Sequence, residues 1–264
     1  MNTIRWAGSA RWITTLRPAA RDYGRQAASD LSVISTFEYE HDKVGNPTKI
    51  TREDGSATYY QYDRIYQLTG ETQVDAQGQV EYAFEYQYDK AHNRTVKVDN
   101  GTATYYAYNA ANELTEETTD AQTTYYHYDR CGNTVAKQEA SGTTYYVYDT
   151  ENLMTRIDFA DGGHNYFAYD ADSKRVSKRD SEGFTEFIYQ GPDMLRLLLE
   201  RDDQGETHLH YTMGVPLRQG YGGQVGLESV RQDAESSFYH FDALGSTYRL
   251  TDAVEEVTDT YRYN

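Results

Sequence analysis

The chain has 264 residues, of which 38% are hydrophobic and 14% aromatic, with 27 tyrosines against 8 phenylalanines and a mean hydropathy of −0.86. A conventional aliphatic core is excluded by that balance, and the aromatic content argues equally against a disordered chain. The formal net charge is −17; residues 1–31 carry five arginines against Asp22 and Asp30, so the remainder holds −17 − 3 = −20, which argues against a nucleic-acid or anionic-lipid footprint.

Residues 1–31 are basic and without repeat, and Trp6, Trp12 and Leu16 predict only a weak amphipathic helix there. No apolar run reaches membrane-spanning length and no continuous apolar h-region follows the N-terminal arginines, so neither membrane insertion nor a signal peptide is expected. From residue 32 a tyrosine motif takes over. It reads FEYEHD at Phe37–Asp42, YYQYD at Tyr59–Asp63, YQYD at Tyr86–Asp89, YYAYN at Tyr105–Asn109 and YYHYD at Tyr125–Asp129. YYVYD at Tyr145–Asp149, YFAYD at Tyr166–Asp170 and FIYQ at Phe187–Gln190 continue it, and FYHFD at Phe238–Asp242 stands apart. A period near twenty residues means an array of one small unit and not a globular enzyme around a single centre.

Aromatics two apart lie on one side of a strand, so Tyr60/Tyr62, Tyr106/Tyr108, Tyr126/Tyr128 and Tyr146/Tyr148 are predicted to form a packing stripe. The motif's Asp opens a turn, as at Asp63, Asp149 and Asp129-Arg-Cys-Gly132-Asn133, because its carboxylate accepts amides two or more residues on while Gly or Asn supplies positive φ. A second strand with alternating branched residues follows (Thr48/Ile50, Val96/Val98, Val135), then a second turn such as Asp54-Gly55, Asn100-Gly101 or Glu182-Gly183. Each period is therefore strand, turn, strand, turn. A lone hairpin is marginal, so the units are expected to pair into one curled antiparallel sheet, all-β in class. The one longer period, ending at Asp89, predicts a longer loop. Residues 191–235 read as a modified repeat with a Gly-rich loop at 214–226, and residues 236–264 as terminal strands with a turn at Asp242 and Gly245.

Catalytic patterns are weak. His208-x-His210 has the spacing to hold Zn²⁺ or Cu²⁺, but no third ligand is fixed and surface strand histidines explain it better. The Gly-rich loop lacks the Lys-Ser/Thr of a phosphate loop, the repeated Asp residues are turn caps, and the single Cys131 excludes an internal disulfide. No enzyme activity, metal or cofactor is expected.

These residues resemble the YD-repeat or Rhs family, whose unit has the form G-x-[x]-Y-x-Y-D-x-x-G-[NR]-[LV] and which includes polymorphic toxins, C components of Tc toxins and teneurins. The resemblance covers roughly residues 36–264. Phe238-Tyr-His-Phe-Asp-Ala-Leu-Gly-Ser-Thr247 and Thr260-Tyr-Arg-Tyr263 look like the Rhs core-associated segment, with Phe241 a departure from it. The resemblance implies a β-spiral shell around a C-terminal toxin or effector domain, reached by a specialised secretion route. Its self-cleavage motif and toxin are expected beyond Asn264, and no such residues carry over. The expected partners are an effector domain or a further YD-repeat chain, with self-association through open strand edges. Exposed tyrosine rows as a glycan-binding surface form the alternative reading.

Overall fold

A computed structural model describes residues 9–15, 33–120, 122–189, 197–213, 227–232, 235–241, 247–254 and 256–261. Every element among them is a β-strand, and the strands pair antiparallel with their chain neighbours. The fold is the all-β hairpin array that the repeat predicts. The chain divides into two compact units, residues 1–123 and 124–264.

The first unit holds β1 (Ser9–Thr15), β2 (Val33–His41), β3 (Pro47–Arg52), β4 (Ala57–Tyr62), β5 (Leu68–Val74), β6 (Val80–Tyr88), β7 (Arg94–Asp99), β8 (Thr102–Tyr108) and β9 (Leu114–Thr119). Its first strand corrects the helix expectation. Ser9–Thr15 pairs along β2, with Trp12 opposite Phe37, because a β-branched run (Ile13-Thr-Thr15) beside an aromatic strand gains a full ladder there. Trp6 and Leu16 lie outside the described residues. The long period is also resolved: its additional residues lengthen β6 to nine residues and build a five-residue turn, Asp75–Gln79, instead of a loose loop.

One face of this unit is covered. Phe37, Tyr39, Phe84 and Tyr86 are buried on it, beside Thr58 and Gln73, which are fully enclosed. Thr58 Oγ1 donates to Gln73 Oε1 at 3.4 Å, Gln73 Nε2 donates to Glu81, and Tyr82 Oη donates to Glu71 Oε1 at 2.8 Å. Polar groups fill a core that aliphatic residues are too few to fill, and these three bonds offset their desolvation, although the buried Ser56 Oγ has no such bond.

The second unit begins within β10 (Gln122–Tyr128) and continues through β11 (Thr134–Glu139), β12 (Gly142–Tyr148), β13 (Met154–Asp158), β14 (His164–Tyr169), β15 (Arg175–Asp180) and β16 (Gly183–Tyr189). It ends with β17 (Leu197–Arg201), β18 (Thr207–Met213), β19 (Leu227–Gln232), β20 (Glu235–Phe241), β21 (Thr247–Thr251) and β22 (Val257–Thr260). Ala136 and Leu250 are buried apolar positions, and His240, also buried, has Nε2 2.9 Å from Thr251 Oγ1. Burial holds the His240 imidazole below its ordinary pKa, with Arg249 adding to the effect. Gly142 sits at φ 139, where a Cβ would meet that of Ala160 at 2.9 Å, so the hairpin tip admits no side chain.

One turn departs from its siblings. The fourth residue of the Asp turns takes positive φ and is Gly45, His92, Asn112, Gly132, Asn152, Ser173 or Gly205, but in the Asp63 turn it is Tyr66, at φ 67 and 57% exposed. A left-handed conformation at a bulky residue costs about 1 kcal/mol or more. Tyr66→Asn is expected to raise the stability of the first unit by about 1 kcal/mol, read as a higher urea midpoint; an unchanged or lower midpoint refutes the strain.

Candidate functional site

The repeated feature with the most defined chemistry is the seam where each tyrosine strand meets its Asp turn. At Asp63, Oδ1 accepts the amides of Ile65 (2.8 Å) and Gln67 (2.9 Å), while the Asp63 amide donates to the Gln67 carbonyl at 3.0 Å and Tyr66 N–H returns to the Asp63 carbonyl at 3.2 Å. Asp129 repeats this with Cys131 and Asn133, and Asp149 with Glu151 and Leu153. Gly132 takes φ 84 at the fourth position of the Asp129 turn. A single carboxylate thus satisfies two amides that the reversal would leave unpaired. Asn133 donates to Asp129 Oδ2 at 2.9 Å, and that bond, with the backbone amides, holds the Asp129 carboxyl below the usual range.

Each reversal carries a β-bulge at the motif's last tyrosine. The register shifts at Gln61/Tyr62, Gln87/Tyr88, Ala107/Tyr108, His127/Tyr128, Val147/Tyr148, Ala168/Tyr169 and Ile188/Tyr189. At five of these the phenol then reaches across the preceding strand to its first residue. Tyr62 donates to the Pro47 carbonyl (2.9 Å), Tyr88 to Leu68 (2.8 Å), Tyr108 to Arg94 (2.9 Å), Tyr169 to Met154 (2.8 Å) and Tyr189 to Arg175 (2.8 Å). A side-chain amide adds a lateral link between consecutive turns: Asn93 donates to Asn112 at 2.9 Å, and Asn133 to Asn152 at 2.9 Å. The site is a series of tethers between neighbouring hairpins.

The tyrosines of the stripe, Tyr60, Tyr62, Tyr106, Tyr108, Tyr126, Tyr128, Tyr146 and Tyr148, are all half-buried, so a single sheet layer covers their rings only in part. Tyr106 lies under the Arg94 guanidinium, 4.9 Å from ring centroid to Cζ. Opposite the first stripe aromatic stands a residue eleven positions on: Glu71 for Tyr60, Lys97 for Tyr86, Glu117 for Tyr106, Lys137 for Tyr126, Ile157 for Tyr146 and Lys178 for Phe167. Sequence reasoning passed over this row, although its fixed offset was visible. The three lysines pair two residues on along their own strands, with Asp99 (3.7 Å), Glu139 (2.9 Å) and Asp180 (2.7 Å). Asp75, Asp202 and Asp252 make the same two-amide capture without a preceding tyrosine motif; an Asp three residues before Gly78 and Gly205 was the signal. Asp242 and Gly245 lie outside the described residues, as does the Gly-rich stretch 214–226.

The aromatic that precedes the motif points to the other face. Tyr105 (58%), Tyr145 (54%), Tyr166 (46%), Tyr59 (42%) and Tyr125 (41%) are exposed there. Beside Tyr145 and Tyr166, Asp158 binds Arg156 Nη2 at 2.9 Å and His164 Nδ1 at 2.7 Å. Among the described residues no group of three or more His, Cys, Asp and Glu side chains is placed to hold a metal ion, and no helix is long and apolar enough to cross a membrane.

Burial raises the phenol pKa of Tyr60, assisted by the charge of Glu71, and burial likewise raises Tyr62, Tyr108 and Tyr148. A folded pKa above the unfolded value of 10.0 means that the stabilisation is complete below that value and is lost as pH rises past it. The urea midpoint is expected to hold to about pH 9 and to fall steeply by about pH 11, together with phenolate absorbance. Phenolate formation at an unchanged midpoint contradicts the seam's role in stability.

No family model matches the chain, and no curated protein matches it. Solved structures do. The Tc holotoxin pore of Photorhabdus luminescens aligns over 97% of this chain and 16% of its own, at 11% identity and a TM-score of 0.42. TcdB2-TccC3-TEV aligns over 97% of this chain and 17% of its own, at 12% identity and a TM-score of 0.44. A porin-like protein from Bacteroides uniformis aligns over 95% of this chain and 92% of its own, at 13% identity and a TM-score of 0.28. The chain thus spans under a fifth of the two toxin assemblies it resembles.

Proposed function

We propose that this chain is a non-catalytic structural module, a run of YD-type hairpins forming part of a β-sheet wall that encloses or presents an effector domain. One observation carries the reading: in repeat after repeat the Asp carboxylate and the last tyrosine hydroxyl are engaged by backbone groups of the sheet itself. Groups committed in this way hold hairpins together and are not presented to a substrate. Membership of the Rhs family is part of the same proposal and rests on the motif residues. The test is limited proteolysis of the full polypeptide that the gene encodes. A segment following the repeats is expected to resist protease until the sheet is unfolded by urea; cleavage as fast as that of the same segment expressed alone refutes the enclosure.

A second reading is favoured by the outward tyrosines of the second unit. Tyr125, Tyr145 and Tyr166 recur on alternate strands of one face, with Arg156, Asp158 and His164 as hydrogen-bonding neighbours, which is the pairing of flat ring and polar rim that sugar recognition uses. Titration with a panel of oligosaccharides, followed by tyrosine fluorescence, is expected to show saturable binding that the triple variant Tyr125→Ala, Tyr145→Ala, Tyr166→Ala abolishes. Equal binding by the variant assigns the rings no such role.

A further inference from the structure

The reversals that follow β2, β4 and β6 lie at one end of the first unit, because these three strands run in the same direction. Their second residues are Lys43, Arg64 and Lys90, all exposed, and their side chains have no hydrogen bond or ion pair among the described residues. The capping carboxylates of Asp42, Asp63 and Asp89 are engaged instead by amides within their own turns. Val44, Ile65 and Tyr66 stand exposed on the same row of tips, and Tyr66 holds its φ of 67 there. A strained conformation retained at an exposed ring points to a contact that the ring makes.

The second unit presents the opposite charge on an equivalent row. Strands β13, β15 and β17 also share a direction, and the turns that follow them carry Asp161, Glu182 and Asp203, each exposed and outside any ion pair among the described residues. Asp180, at the root of the middle turn, is paired with Lys178, and Asp202 is engaged by the amides of Gln204 and Glu206. No lysine or arginine occurs within these three turns, and Phe159 adds an exposed ring two residues before Asp161. Counted with its caps, the first row balances three Asp against three cations, whereas the second row holds only negative charge. In both rows consecutive tips are two strands apart, about 9.5 Å at the spacing of paired strands. Cations and carboxylates therefore recur at one interval, set by the same repeat.

We propose that the cationic row of one copy seats the acidic row of a second copy, a head-to-tail contact between two different surfaces. Lys43, Arg64 and Lys90 face Asp161, Glu182 and Asp203 in that contact, with Ile65 and Tyr66 against Phe159. A second copy is the occupant because the chain itself supplies the opposite charge at the matching interval. The contact differs from pairing through open strand edges, which adds main-chain hydrogen bonds. Charges at exposed tips are screened by salt, so a rim-to-rim contact weakens as ionic strength rises. It depends on neither functional reading.

The test is sedimentation velocity of the whole chain over a concentration series, at low salt and at about 1 M salt, where the screening length is about 3 Å. Mass that rises with concentration at low salt and a monomer at high salt are expected. The combined reversal Lys43→Glu, Arg64→Glu, Lys90→Glu should weaken association about tenfold or more, and so should Glu182→Lys with Asp203→Lys. Asp161 is left in place because its carboxylate accepts the Gly163 amide. Mixed with each other, the two reversed proteins should associate again, which damage to the fold does not produce. Thermal melting checks that each variant is folded; where a reversal unfolds, Lys43→Gln, Arg64→Gln, Lys90→Gln takes its place and should weaken association likewise. A monomer at low salt, association indifferent to salt and to the folded variants, or a mixture of reversed proteins that stays monomeric would overturn the contact.

Discussion

The structure depends on the capture of two backbone amides by one side-chain oxygen, of an Asp or of Asn109, at the end of the tyrosine strands whose turns are described. Reversing an antiparallel strand leaves N–H groups without ladder partners, and an unpaired amide is costly wherever water is excluded. The carboxylate settles both at once and so fixes a five-residue reversal with positive φ at its fourth position. The bulge that accompanies this reversal displaces the last tyrosine from simple register. Only because of that displacement does the phenol of Tyr62 or Tyr108 meet the first carbonyl of the preceding strand. Turn, bulge and tether are one device, repeated.

A sheet built in this way has little need of an aliphatic core. Half-buried rings spread over one face, and charged residues opposite them are paired or hydrogen-bonded within the sheet, as with Lys137 and Glu139 or Glu71 and the Tyr82 phenol. In the first unit Thr58, Gln73 and Glu71 are buried where aliphatic side chains would ordinarily stand. Thr58, Gln73 and Glu71 keep partners there while the Ser56 hydroxyl is buried without one, and bonds of this kind across the ladder make the array sensitive to register. The second unit uses the same arrangement and likewise leaves aromatic rings exposed, at Tyr125, Tyr145 and Tyr166.

The two faces therefore serve different chemistry. One face is committed to the fold through rings, phenols and paired charges. The other presents single tyrosines and the Arg156–Asp158–His164 cluster. Alternation along a strand is what permits this division, since successive side chains leave on opposite sides.

By itself the sequence determined the period, the strand and turn phases, the Asp caps and the glycine or asparagine at positive φ, because each depends on residues within about five positions of one another. It also marked Tyr60, Tyr62, Tyr106, Tyr108 and their equivalents as one side of a strand. Residues 9–15 were legible only as weakly amphipathic; pairing with β2 made them a strand, a choice settled by a neighbour more than twenty positions away. The long period was read as a loop because strand length is set by what the partner strand can match, here β5 against β6. The phenol tethers and the charge row opposite the stripe were decided by tertiary structure alone. Each depends on which residue lies across the ladder, and a single bulge at each Asp turn moves that register by one residue.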